Sequence, residues 1–101
     1  MRICRVDEIL DNSGVCALVG GEQVAVFRVD GMIYAIGNRD PFSGANVLSR
    51  GIVGDIDGEP VVASPVYKQH FSLLTGRCLE DPSVSVPVYR TRVDGSEIQI
   101  L

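Results

Sequence analysis

The sequence predicts an all-β fold of about nine short strands, arranged as an antiparallel sandwich or barrel. Three observations carry this reading. Apolar runs are short and are broken every few residues by turn formers, among them 11 Gly and 5 Pro. Val and Ile dominate those runs, and β-branched side chains suit a pleated, half-buried surface. The dipeptide Asp-Gly recurs at 30–31, 57–58 and 94–95, and it tolerates the positive φ angles of tight hairpin turns.

In chain order, Ile3–Val6 reads as the first strand, and Asp7–Leu10 leads into the turn Asp11-Asn12-Ser13-Gly14. Val15–Val19 is the second strand and stops at Gly20-Gly21. Gln23–Arg28 and Met32–Ile36 form a hairpin about Val29-Asp30-Gly31. Residues 44–51 read as a short helical turn or coil, and Pro60–Ala63 as an apolar strand running straight into Ser64-Pro65. Lys68–Ser72 and Arg77–Leu79 flank the turn Leu73-Leu74-Thr75-Gly76, and Val86–Val93 with Glu97–Leu101 makes a last hairpin. Along Val86–Val93 the two-residue period puts Val88, Arg90 and Arg92 on one face and Tyr89, Thr91 and Val93 on the other. Residues 38–76 are expected to form a small subdomain inserted into the larger sheet assembly.

A chain of 101 residues fits one domain with one core. It has no apolar run long enough for a membrane helix. The opening Met1-Arg2-Ile3-Cys4-Arg5-Val6-Asp7-Glu8 lacks the apolar stretch of a secretory leader, so a cytoplasmic protein is expected. The net charge of −4 argues against nucleic acid as the main partner, since phosphate binding needs clustered cations. Charge is nevertheless uneven. Segments 38–50 and 64–77 carry Arg39, Arg50, Lys68 and Arg77 against Asp40 alone, with His70 among them. These five basic residues read either as a solvated loop surface or as a docking face.

Cys4, Cys16 and Cys78 match no metal-binding spacing and are odd in number, so free thiols are expected. Cys4 and Cys16 read as small core side chains, and Cys78 as a structural residue after a turn. No Cys–His or Ser–His pair stands at a spacing that would activate a nucleophile, and a single His limits acid–base schemes. Gly20-Gly21 lies between strands rather than at a helix start, which excludes a phosphate-cradling loop. Asp40, Tyr67 and His70 are spread over two loops without a ligand spacing, so a metal site is not expected.

Several segments, in order, carry a resemblance. They are the hairpin Phe27–Ile36, the loop Asn38-Arg39-Asp40-Pro41-Phe42, the loop Ser64-Pro65-Val66-Tyr67, and the run Phe71-Ser72-Leu73-Leu74-Thr75-Gly76-Arg77-Cys78-Leu79. Over nearly its full length the chain resembles the Rieske ferredoxin family. That implies a Rieske-like antiparallel fold in which two loops would hold a two-iron cluster through Cys-x-His and Cys-x-x-His. Here the Cys positions are Asp40 and Ser64, and the His positions are Phe42 and Tyr67. Phe42 has no lone pair to donate, and a serine hydroxyl is a poor iron ligand at neutral pH. Asp40-Pro41-Phe42, Val47–Gly51, Ala63-Ser64-Pro65 and Lys68-Gln69 narrow the resemblance to one cluster-free branch, the small subunits of assimilatory NAD(P)H-dependent nitrite reductases.

That resemblance implies no cofactor in this chain. It implies a partner, the nitrite reductase large subunit, carrying siroheme, a 4Fe-4S cluster and FAD and reducing nitrite to ammonium with NAD(P)H. The rival readings are a true electron-carrying ferredoxin, which the missing ligands oppose, and a free-standing interaction module for another redox enzyme. In the emptied loops, Asp40 is expected to accept backbone amide hydrogen bonds as Asx turns do. Phe42 and Tyr67 are expected to fill the vacated volume.

Overall fold

The computed structural model describes residues 2–101, so Met1, part of the N-terminal reading above, lies outside the described residues. Among the described residues ten strands make three antiparallel sheets. In chain order they are β1 Arg2–Arg5, β2 Ser13–Val19, β3 Glu22–Val29, β4 Met32–Gly37, β5 Ile52–Ile56, β6 Glu59–Ala63, β7 His70–Ser72, β8 Val88–Tyr89, β9 Thr91–Asp94 and β10 Glu97–Ile100. Two 3₁₀ turns, Val6–Glu8 and Leu48–Arg50, complete the regular structure. No helix among the described residues is long and apolar enough to cross a membrane.

The central sheet has the order β2-β3-β4-β8, and both of its faces are covered. On one side Val24, Val26 and Ala35 pack with Ile9, which follows the first 3₁₀ turn, and with Ile98 and Ile100 of the β1-β10-β9 sheet. On the other, Ala25, Phe27, Val29 and Ile36 pack with Leu48, Val62 and Phe71, beneath the β5-β6-β7 sheet. Strand β3 therefore reads as an unbroken apolar run, Val24-Ala25-Val26-Phe27, because successive side chains enter opposite cores. Full burial of each large apolar side chain contributes roughly 1.5–3 kcal/mol, so this strand anchors both layers.

The all-β, antiparallel expectation holds, with corrections. A strand was not expected over Ile52–Ile56, yet β5 pairs with β6 from Ile52↔Ala63 to Ile56↔Glu59 around Asp57-Gly58. Arg77–Leu79 is not a strand; it makes isolated bridges, Phe71↔Cys78 and Arg77↔Ser85. Lys68 and Gln69 drop out of the strand expected over 68–72, since Lys68 takes a positive φ of 63° and its N–H closes a turn onto the Ser64 carbonyl at 3.0 Å. The long strand expected over 86–93 is cut at Arg90. Ahead of it Tyr89 pairs with Ala35 in the central sheet, and after it Thr91 pairs with Ile100 in another. Cys4 is half-buried and Cys78 lies in the core, but Cys16 on β2 is exposed, contrary to its core reading.

Candidate functional site

The loop after β4 and the loop after β6 meet. Ser64 Oγ donates to Asp40 Oδ2 at 2.5 Å, and the Phe42 N–H donates to Asp40 Oδ1 at 2.9 Å. Asp40 and Ser64 are 0% and 1% exposed, so this is a buried, hydrogen-bonded carboxylate bridging two loops. Burial pushes the Asp40 carboxyl up. The bonds from Ser64, the Phe42 amide, and the Ser43 hydroxyl and amide outweigh that, and the net position is below the usual carboxylate range.

Each loop is also closed on itself. Asp40 N–H reaches the Ala45 carbonyl at 2.8 Å, and Gly44 N–H reaches the Asp40 carbonyl at 2.7 Å. In the second loop Ser64 N–H bonds the Gln69 carbonyl at 2.9 Å. Gly51 lets the chain after the second 3₁₀ turn press onto β6: a Cβ there would lie 2.3 Å from the Ala63 carbonyl oxygen.

Sequence reasoning missed the anchor of the first loop, which is Asn38. This buried amide donates from Nδ2 to Gln23 Oε1 and the Asn46 carbonyl, both at 3.1 Å, and accepts from the Ser49 N–H at 2.7 Å through Oδ1. The available signal was a polar residue directly following the buried run Ala35-Ile36-Gly37. Replacing Asn38 by Ala leaves the half-buried Ser49 amide without its acceptor and removes the donor to the exposed Gln23 and Asn46. The variant is expected to lose about 2–3 kcal/mol of unfolding free energy in urea titrations. A loss well below 1 kcal/mol would mean that water replaces the amide at little cost.

The four ligand positions differ in fate. Asp40 and Ser64 are joined directly. Phe42 lies beside them, half-buried against Phe71, with ring centroids 6.2 Å apart and planes at 47°. Tyr67 does not fill the vacated volume: it is 60% exposed, because the turn from Ser64 to Lys68 carries it outward. A Rieske cluster needs two thiolates and two imidazoles. These positions offer a carboxylate already occupied by hydrogen bonds, a hydroxyl donating to it, a hydrocarbon ring and an outward phenol. The residues present do not fit the group.

The five basic residues are not all together. Ile52, Ala63 and His70 form one row across β5, β6 and β7. Arg50 lies two residues before β5 and Lys68 two residues before β7, while Arg39 sits on the loop that Asp40 joins to Ser64. Arg77 lies at the far end of β7, where its carbonyl accepts from the Ser72 N–H at 2.9 Å. His70 is engaged by Glu80. Its N–H donates to Glu80 Oε1 at 2.7 Å, and its Nδ1 lies 2.6 Å from Oε2. Burial raises Glu80, but these bonds and the imidazole's attraction prevail and hold it below its usual range. Beside the first loop opens a cleft of about 400 Å³, lined in part by Gln23, Arg39, Pro41, Pro87 and Tyr89.

The family described as Rieske-like [2Fe-2S] domain matches residues 1–101. The chain is 50% identical over 100 residues to the nitrite reductase (NADH) small subunit of Salmonella typhimurium, covering 97% of this chain and 93% of that one. It is 40% identical over 98 residues to the nitrite reductase [NAD(P)H] large subunit of Klebsiella oxytoca, covering 97% of this chain and 10% of that one. In structure it is similar to the nitrite reductase [NAD(P)H] small subunit of Erwinia carotovora, with a TM-score of 0.84 and 51% identity, covering 99% of this chain and 78% of the other.

Proposed function

The chain belongs to the Rieske-like [2Fe-2S] domain family and, within it, to the nitrite reductase small subunits; from that premise we propose that it is the non-catalytic small subunit of an NAD(P)H-dependent nitrite reductase. The observation that carries the non-catalytic part is the Asp40–Ser64 bond at 2.5 Å, which puts a buried hydrogen bond where the family's electron carriers need metal ligands. The fold persists while the donor set is gone, so the chain supports the enzyme by assembly rather than by passing electrons. Residues 1–101 act as one Rieske-like domain in which 38–76 is the vestigial cluster-binding subdomain. Siroheme, a 4Fe-4S cluster, FAD and the NAD(P)H site belong to the large subunit, which reduces nitrite to ammonium during nitrate assimilation. The cytoplasm, where reduced nicotinamide is available, is the proposed location.

The Klebsiella oxytoca large subunit supports the pairing. One tenth of that polypeptide aligns with almost all of this chain, so there the equivalent domain is part of the catalytic polypeptide itself.

The test is co-expression of the large subunit with and without this chain, followed by assay of NAD(P)H-dependent ammonium formation from nitrite. Several-fold lower specific activity, or lower yield of folded large subunit, is expected without the chain, since a partner that binds only the native form stabilises it. Equal activity and yield in both preparations would overturn the reading.

A further inference from the structure

The joined loop tips present an unusual surface. Ile52 is 77% exposed, Tyr67 60% and Val66 44%, and Pro41 and Pro65 are exposed beside them. All lie at one end of the β5-β6-β7 sheet, beyond or at the row Ile52–Ala63–His70, or on the loop that Asp40 ties to it. Exposed Arg50 and Lys68 lie two residues before Ile52 and His70 of that row, exposed Arg39 lies on the tied loop at the edge of the neighbouring cleft, and none of the three forms an ion pair among the described residues. Glu80 reaches the same row but is held by His70. The chain as a whole carries −4, so the tip is a basic spot on an acidic molecule.

Resting on the nitrite reductase reading, we propose that this tip is the face that docks on the large subunit, with Tyr67, Val66 and Ile52 as its apolar centre and Arg39, Arg50 and Lys68 as its rim. The complementary site is an apolar recess with an acidic border. An apolar and aromatic centre enclosed by charged residues is the arrangement in which a few side chains carry most of an interface's energy. The rim charges act on encounter rate and orientation.

A second copy of this chain is a poor occupant. A two-fold contact would bring the same three cations against one another, and like charges set face to face oppose association. His70 and Arg77 fall outside the face, one engaged by Glu80 and the other at the far end of β7.

The test is titration of purified large subunit with the full chain by surface plasmon resonance or calorimetry, with light scattering on the isolated chain. Tyr67→Ala is expected to weaken binding by about 30-fold or more, as truncation of a central aromatic anchor does. Arg50→Glu with Lys68→Glu is expected to slow association by about tenfold at low salt, with the effect shrinking as salt rises. Arg77→Glu, a single charge reversal elsewhere on the surface, is expected to stay within about twofold of wild type. All these side chains are exposed, so the fold tolerates the changes; circular dichroism melts verify that.

Wild-type binding with unaltered affinity in the tip variants overturns this proposal alone and leaves the pairing intact. So does a self-associating chain whose dimer, rather than its complex, is lost in Tyr67→Ala. No binding by the wild-type chain overturns the pairing and the docking face together.

Discussion

Asp40→Ala is expected to destabilise the chain by about 3 kcal/mol at neutral pH, because it leaves a buried Ser64 hydroxyl and a Phe42 amide without their acceptor. Asp40→Asn keeps the shape and one acceptor but removes the charge, and is expected to lose about 1–2 kcal/mol. The two substitutions separate hydrogen bonding from ionisation. Because the folded carboxyl is held below its usual range, its ionised form stabilises the native state above the unfolded pKa of about 3.9. That stabilisation fades as pH falls through the lower, folded value. The gap in stability between wild type and Asp40→Asn should therefore be full at pH 6–7 and close on the acid side of about pH 4. Urea unfolding across pH reads it directly. A double-mutant cycle with Ser64→Ala should give a coupling of about 1–3 kcal/mol; a coupling near zero would mean that the two loops are held together by something else.

Gly76→Ala should be the more damaging of two glycine substitutions that look alike in sequence. Gly76 and Gly31 both have positive φ, 76° and 79°. A Cβ on Gly31 meets nothing within 4 Å, whereas one on Gly76 would lie 2.2 Å from the Val86 carbonyl oxygen and 2.9 Å from Val88 Cγ2. Gly31→Ala should therefore lose only the backbone term, about 1 kcal/mol. Gly76→Ala adds a clash with backbone that cannot rotate away, and about 3–4 kcal/mol in all is expected. The Gly76 N–H also bonds the Ser72 carbonyl at 2.8 Å, and the Gly76 carbonyl accepts from the Val86 N–H at 2.8 Å. Displacement there pulls on β7 and on the segment leading to β8. Thermal or urea unfolding of both variants measures the difference. Equal losses would show that the turn relaxes to admit the methyl.

What could be read from the residues follows from what is local. The hairpin of β3 and β4 was legible because Asp30-Gly31 and the flanking apolar runs specify it within a dozen residues. Asp40 as an Asx-type acceptor was legible for the same reason, and its amide bond from Phe42 spans two residues. β5 was obscured by Gly54 and Asp55, which dilute its apolar pattern, although Asp57-Gly58 marked the hairpin that contains it. The cut at Arg90 was invisible, since alternation continues through a strand that leaves one sheet for another. Nothing in a count of basic residues separates Lys68 from Arg77, which lie at opposite ends of one three-residue strand. Nor does it reveal that His70 is taken by Glu80, ten residues on. The outward Tyr67 was likewise set by a turn whose closing bond, Lys68 N–H to the Ser64 carbonyl, depends on a positive φ at a residue with no glycine to announce it.

The pairing of β1 with β10, with Arg2 opposite Gln99 and Arg5 opposite Glu97, sets the first and last strands side by side in one sheet. A unit whose two ends emerge together can be spliced into a longer polypeptide without reorganising its interior. Tethering then raises the effective concentration of such a unit at its target to the millimolar range, so a modest contact suffices. A separate chain lacks that help. The same architecture thus matches a tenth of the Klebsiella oxytoca large subunit and nearly all of the Salmonella typhimurium small subunit, and a unit without such a tether has to recognise its site from solution.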